Sequence, residues 1–172
     1  MKRALPVAVA LVVGVLGALA FFTRAPEKAG WTEVAWQLSV DPWGKGRAFR
    51  CKAADCGAEV SLYVRPKLGI CNCTTGIADD RDLDAMGDLE LLGAEAAPLG
   101  EGRAIAVGWM KGRARAYAVG GTRALSVAFN DRCDMVVATA VTEQSAPAIE
   151  ARVVDFLNSA PMLDWTKLKL GI

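Results

Sequence analysis

The sequence predicts an α+β fold built mainly from an antiparallel sheet of about six to seven strands. Short segments with apolar and polar residues in alternation are separated by turn-forming residues, which is typical of strands joined by hairpins. Two other segments, one in the middle and one near the carboxyl terminus, have helical periodicity instead. A long apolar segment precedes all of these and predicts a membrane helix or a signal peptide.

Seven segments are predicted as strands, and three of the connections between them read as hairpin loops: residues 53–57, 110–112 and 130–132. The predicted strands span residues 36–40, 47–52, 59–65, 104–109, 113–119, 125–129 and 135–141. We also expect a helix, or a ligand, to lie against a face of small side chains formed by Ala104, Ala106, Gly108, Ala114, Ala116 and Ala118.

Two helices are predicted. The first, over residues 79–89, is short and carries acidic residues in its first turn, where the helix dipole favours them. The second spans residues 146–158, with Ser145 as its cap and Pro161 preventing its continuation. Its apolar stripe has the spacing i, i+4, i+7 and i+8 and consists of Ile149, Val153, Phe156 and Leu157.

Residues 1–24 are predicted to direct the chain out of the cytoplasm. No charged residue lies between Arg3 and Arg24, and an apolar run of about 20 residues is long enough to span a bilayer as a helix. Ala18-Leu19-Ala20 also resembles a signal-peptidase site, so an uncleaved inner-membrane anchor and a signal peptide cleaved near Ala20 both remain open. Lys2 and Arg3 keep the amino terminus in the cytoplasm, which places the rest of the chain in the periplasm in either case.

Composition limits what the exported part can do. After a linker at residues 25–30, residues 31–172 are long enough for one domain with its own core. The 20 basic residues include Lys2, Arg3 and Arg24, which leaves 17 against 19 acidic residues, a net charge of −2 and no basic excess for nucleic acid. The chain has no histidine, which excludes Ser-His-Asp and Cys-His hydrolases and zinc hydrolases with imidazole ligands. An enzyme is therefore the less favoured class, although carboxylates such as Asp79 or Asp80 keep it open.

Five cysteines carry the most informative chemistry, and four of them, Cys51, Cys56, Cys71 and Cys73, are close in sequence. Thiols this close normally oxidise outside the cytoplasm. Residues 51 and 56 lie within disulfide reach across a tight loop, but four cysteines allow three connectivities. We predict two disulfides that link the 51/56 hairpin to the 71/73 loop, with Cys133 as the free thiol.

The same four cysteines allow a second chemistry. Four thiolates could form a tetrahedral zinc site or hold Cu(I), and a pair of them could act as a redox dithiol. The spacing differs from that of paired zinc ligands, and no Cys-x-x-Cys begins a helix, where a thiol pKa would be lowered. No cofactor is therefore expected, with copper or zinc as the alternative.

Charge is unevenly distributed along the chain. Residues 79–101 contain eight acids and one base, whereas residues 103–123 contain five bases and no acid. These segments either face each other or form separate solvated faces. Arg113 and Arg115 share one strand face and form a candidate anion-binding patch.

Four aspartates have a spacing that resembles a calcium loop: Asp80, Asp82, Asp84 and Asp88. Ala85 replaces the required glycine and Leu91 replaces the final glutamate of such a loop. The acidic first turn of a helix is therefore the interpretation we adopt.

The chain resembles a group of small uncharacterised bacterial proteins that are exported or membrane-anchored. The resemblance begins at Phe49-Arg50-Cys51-Lys52-Ala53-Ala54-Asp55-Cys56-Gly57 and Cys71-Asn72-Cys73-Thr74-Thr75-Gly76. It continues through Gly108-Trp109-Met110-Lys111-Gly112 and Phe129-Asn130-Asp131-Arg132-Cys133-Asp134, so it spans most of the predicted domain. It implies an exported address and carries over no activity and no catalytic residue.

The sequence thus favours a non-enzymatic, periplasm-facing accessory or binding domain that is stabilised by disulfides. Its partners would be the membrane, if the leading segment is retained, and a protein. The alternative is a thiol-based metal-handling or redox protein that uses the four clustered cysteines.

Overall fold

Eight antiparallel strands form one sheet in the computed structural model, which describes residues 30–172. The predicted anchor or signal peptide and the linker, except Gly30, lie outside the described residues. From residue 30 to residue 172, no helix has both the length and the apolar character needed to cross a bilayer. The strands are β1 (Trp31–Val34), β2 (Arg47–Cys51), β3 (Val60–Lys67), β4 (Ala96–Pro98), β5 (Arg103–Val107), β6 (Met110–Val119), β7 (Thr122–Asp131) and β8 (Asp134–Thr142).

The strand order in the sheet is β1-β2-β3-β8-β7-β6, and the outer edge of β6 is shared by two short strands. β5 pairs with the first half of β6, and β4 pairs with its last three residues. The contact between β3 and β8 is the long-range step that joins the first three strands to the other five. All pairs are antiparallel, which together with the helices confirms the predicted α+β class.

Four α-helices and one 3-10 turn complete the fold of the described residues. The middle helix α2 (Asp80–Met86) begins with a capping box, in which the Asp79 carboxylate accepts from the Asp82 N–H and the Asp82 carboxylate accepts from the Asp79 N–H. The helices are α1 (Ala53–Cys56), α2 (Asp80–Met86), α3 (Ala146–Leu157) and α4 (Ala160–Leu170), and the 3-10 turn spans Leu89–Leu92.

Helices α3 and α4 cover one side of the sheet, here called the helix face. All four residues of the predicted apolar stripe of α3 are buried there, and Phe156 also makes two aromatic contacts. The Phe156 ring stacks on Trp31 and meets Phe49 edge-on, with centroid distances of 4.8 Å in both pairs. These contacts fix α3 across β1 and β2, and burying aromatic side chains in this way contributes several kcal/mol to a core.

The opposite side, here called the loop face, is covered by residues 35–46 and 68–95. Leu83 of α2 packs with Met135 and Val137 of β8, while Leu89 packs with Tyr117 of β6. Because alternate residues of a strand point to opposite faces, this face also receives Arg65 and Lys67 of β3 and Arg113 and Arg115 of β6. It therefore contains the main ion pairs of the protein.

The β5–β6 hairpin has a different turn from the predicted one. Val107 pairs with Met110, so the turn is Gly108-Trp109, and Gly108 has φ = 58°, which suits glycine. The predicted turn at residues 110–112 placed Ala104 and Ala114 on the same face. In the structure Ala104 is opposite Arg113 on the loop face, whereas Ala114 is buried on the helix face. The prediction of a helix against small side chains is thus confirmed for Ala114 and wrong for Ala104.

Other differences lie at the two ends of the described chain. The predicted strand at residues 36–40 is not formed; this segment crosses the loop face, where Trp36 meets Tyr63 edge-on. The first strand is β1, and it pairs with β2. Pro161 ends α3 as predicted but also lies in the first turn of α4, a helix that the sequence analysis missed.

Candidate functional site

One end of the sheet, here called the hairpin end, brings together features that lie far apart in the sequence. It contains the β5–β6 turn, the β7–β8 turn at Arg132-Cys133 and the end of β3. Antiparallel pairing places these features side by side, because Lys67 is opposite Met135 and Lys111 is opposite Asn130. Three cysteines, an exposed tryptophan and several cations meet there.

Two disulfides form, and neither has the predicted connectivity. Cys51 bonds to Cys56 with a Cα–Cα distance of 6.0 Å, and Cys73 bonds to Cys133 with a Cα–Cα distance of 4.1 Å. The free thiol belongs to Cys71. The predictions that the 51/56 hairpin is linked to the 71/73 loop and that Cys133 is free are therefore wrong.

The straight strand β3 explains why the predicted cluster of four cysteines does not exist. Cys51 is opposite Val60 at the start of β3, whereas the 71/73 loop meets Cys133 beyond its other end, at Lys67. The two ends of this eight-residue strand are about 23 Å apart. Within residues 30–172, no group of three or more His, Cys, Asp or Glu side chains is placed to hold a metal ion. The four sulfurs cannot share one zinc or copper ion in this arrangement.

Cys71 is held against the β7–β8 turn. Its N–H donates to the Cys133 carbonyl at 3.4 Å, and its thiol donates to the Arg132 carbonyl at 3.2 Å. Burial raises the pKa of the Cys71 thiol, and the nearby Asp134 carboxylate raises it further. The thiol is therefore protonated and protected at neutral pH.

A shallow cavity of about 320 Å³ opens beside this turn. Trp109 projects from the β5–β6 turn with 48% of its surface exposed, and the Lys167 ammonium lies 5.5 Å from the centre of its ring. The other lining residues are Asp131, Arg132 and Ile172. Tryptophan is enriched at protein-binding surfaces, which makes this exposed ring a candidate contact.

The candidate anion-binding residues Arg113 and Arg115 are paired within the chain. Arg113 binds Asp80, and Arg115 binds Asp84 with an N–O distance of 2.8 Å. The acidic segment and the basic segment of the sequence therefore face each other. Anion binding by these two residues stays a prediction, in which the anion would have to displace a carboxylate.

The Asp80 carboxylate of α2 is held in its charged state. The Gly102 N–H and then the Arg113 guanidinium lower the pKa of Asp80. Burial and the hydrogen bond to the Asp84 carboxylate raise the pKa of Tyr117. Each interaction joins α2 to β6 or to the β4–β5 connection. We therefore interpret this cluster as structural: it holds α2 against the loop face of the sheet.

The largest feature that sequence reasoning missed is a buried ion network centred on Arg65. Its guanidinium binds Asp41 in bidentate fashion at 2.5 and 2.7 Å and Asp88 in the same way at 2.6 and 2.6 Å. Lys67 completes the network through Asp88, at 2.7 Å, and the Met86 carbonyl, at 2.8 Å. The two cations balance the two anions, which allows Arg65 to be 0% exposed.

The sequence contains a weak signal for each feature that was missed. Arg65 and Lys67 alternate with apolar residues in a strand, a pattern that also fits a solvent-exposed face. Glycine before Trp109 is a turn signal, but the competing Met110-Lys111-Gly112 segment also ends in glycine.

Comparison with known proteins gives a distant structural similarity. The solution structure of cyanobacterial PsbP (CyanoP) from Synechocystis sp. PCC 6803 aligns with 78% of this chain and 81% of its own, at 15% sequence identity and a TM-score of 0.43. This similarity is too low to support an argument about function. No protein-family model and no curated protein matches the chain.

Proposed function

We propose that this protein is an exported accessory domain that works in an oxidising compartment and acts by binding a protein partner. The observation that carries the proposal is the pair of disulfides, one at each end of the sheet. Disulfides form and persist outside the reducing cytoplasm, and the apolar leading segment provides a route to that compartment. The resemblance to exported bacterial proteins supports the same address.

The state of the cysteines tests this proposal directly. In full-length protein from the periplasm, unfolded without reductant and treated with iodoacetamide, we expect one modified cysteine per chain and five after reduction, because four of the five are bonded. Intact-mass measurement gives both counts. Five modified cysteines without reductant, or a metal ion that stays with the chain through gel filtration, would contradict the proposal and favour the thiol-based alternative.

The hairpin end is the binding surface in this proposal. The rest of the sheet is covered by α3 and α4 on one face and by the loop segments on the other. At the hairpin end, Trp109 offers a large exposed apolar surface whose orientation the Lys167 side chain restricts. A side chain with few rotatable bonds loses little entropy when a partner covers it, which makes tryptophan an effective anchor.

Site-specific photocrosslinking in living cells tests this surface. A photoreactive amino acid at position 109 is expected to give a discrete crosslinked product of higher mass. Position 99 is the matched control, because Leu99 is also 48% exposed but lies beside the middle of β6, where its N–H donates to the Ala116 carbonyl. Equal products from positions 109 and 99, or none from position 109, would show that Trp109 is not a partner contact.

A further inference from the structure

Three of the five cysteines meet at the hairpin end, and only two of them are bonded. We propose that Cys71, Cys73 and Cys133 form a thiol–disulfide switch, in which Cys71 and Cys73 exchange as the partner of Cys133. One form has a buried free thiol at residue 71, and the other has an exposed free thiol at residue 73. The proposal does not depend on the partner-binding role described above.

The backbone places Cys133 within reach of both competing cysteines. The Cys73–Cys133 disulfide is formed, with a Cα–Cα distance of 4.1 Å. The Cys71 N–H donates to the Cys133 carbonyl at 3.4 Å, so the backbones of these two residues are in direct contact. The residue that would replace Cys73 as the partner of Cys133 is therefore already its neighbour.

The thiol of Cys71 also lies against the turn that contains Cys133. Its sulfur is 3.2 Å from the carbonyl oxygen of Arg132, the residue directly before Cys133. The same oxygen accepts a hydrogen bond from the Asn130 side chain at 3.1 Å. Arg132 has φ = 54°, a left-handed conformation that costs a non-glycine residue free energy. The turn that carries Cys133 is thus held in place by the thiol that would attack it.

The exchange is balanced without an external oxidant. The Cys71 thiol loses its proton to water, and the thiolate attacks the Cys133 sulfur. The Cys71–Cys133 bond forms, the Cys73–Cys133 bond breaks, and the electron pair leaves with Cys73, which then takes up a proton. Before and after the exchange, two of the three sulfurs form a disulfide and the third is a thiol.

The exchange changes which thiol meets the solvent. Cys71 is 7% exposed, whereas Cys73 is exposed on the 71–76 loop. Burial raises the pKa of the Cys71 thiol, which makes the forward step slow and protects the free thiol from other oxidants. After exchange, Cys73 can attack a disulfide of another molecule, such as oxidised glutathione. The switch therefore exposes a reactive thiol without reduction of the protein.

The first test traps the exchanged form of the wild-type protein. The folded chain is incubated with N-ethylmaleimide at pH 8 for hours, the timescale of uncatalysed disulfide rearrangement, and its peptides are mapped by mass spectrometry without reduction. We expect the label to accumulate on Cys73, in molecules that contain a Cys71–Cys133 crosslink. Label confined to Cys71, or absent from both residues, would overturn the proposal.

A second test removes one competitor at a time. In Cys73→Ser, we expect Cys71 and Cys133 to form a disulfide, so that no thiol reacts after unfolding without reductant. Cys133→Ser is the matched control and should leave two reactive thiols, because one intervening residue disfavours a Cys71–Cys73 bond. Two reactive thiols in Cys73→Ser would also overturn the proposal. The wild type keeps one free thiol in either form, so these results are independent of the count that tests export.

Discussion

Replacement of Arg65 by methionine is expected to lower the free energy of unfolding by about 3–5 kcal/mol, the cost of removing one partner from a buried ion pair. The guanidinium makes two hydrogen bonds to Asp41 and two to Asp88, and Arg65 itself is 0% exposed. Methionine fills much of the same space but removes the cation that the Asp41 and Asp88 carboxylates share. Urea unfolding, followed by circular dichroism without reductant, measures the loss.

The control for this prediction is an ion pair in solvent. Arg103 binds Glu150 at 2.7 Å, but its side chain is 66% exposed. Arg103→Met is expected to cost less than about 1 kcal/mol, because water screens an exposed pair. Similar losses in the two variants would mean that the Arg65 network adds no more than a surface ion pair does.

Removal of the Cys73–Cys133 disulfide is expected to have the second large effect. The double variant Cys73→Ala/Cys133→Ala should lose about 4 kcal/mol, whereas Cys51→Ala/Cys56→Ala should lose about 2 kcal/mol. The reason is the length of the closed loop, since the first bond joins residues 60 apart and the second joins residues 5 apart. A longer loop removes more conformational freedom from the unfolded chain.

We use alanine and not serine at every position, because serine would bury a hydroxyl group at position 51, where Cys51 is fully buried. Cys71→Ala provides a further control, because it truncates a buried cysteine without breaking a disulfide. If the 51/56 variant loses as much as the 73/133 variant, loop closure does not govern the contribution of these bonds. Urea midpoints and slopes under non-reducing conditions give the comparison.

Local patterns were sufficient to predict most of the sheet. The predicted strand at residues 59–65 corresponds to β3 (Val60–Lys67), and the one at residues 135–141 corresponds to β8 (Asp134–Thr142). The failures come from the position of a turn. A shift from residues 110–112 to Gly108-Trp109 moved Trp109 out of a strand and exchanged the faces of β5 relative to β6. Nothing in the alternation of residues alone fixes that register.

The candidate site depended on long-range contacts, which the sequence reasoning could not place. Cys71 was grouped with Cys51 because they are close in sequence, yet a straight β3 separates them and the pairing of β3 with β8 brings the 71/73 loop to Cys133. The acidic segment at residues 79–101 and the basic segment at residues 103–123 were a better guide to long-range contacts than the cysteine spacing. Their opposite signs allowed them to face each other, and the Arg113–Asp80 and Arg115–Asp84 pairs show that they do.

The unequal lengths of the strands have a consequence for behaviour at high concentration. The inner strands β6 and β7 each have ten residues, whereas β1, at one margin of the sheet, has only four. The other margin is divided between β4 and β5, and Pro98 in β4 lacks an N–H to offer a neighbouring chain. No long, continuous row of free backbone donors and acceptors is therefore presented at either margin of the described sheet, and such rows are what recruit further molecules into fibrils. Growth by addition of strands to the described sheet is therefore disfavoured.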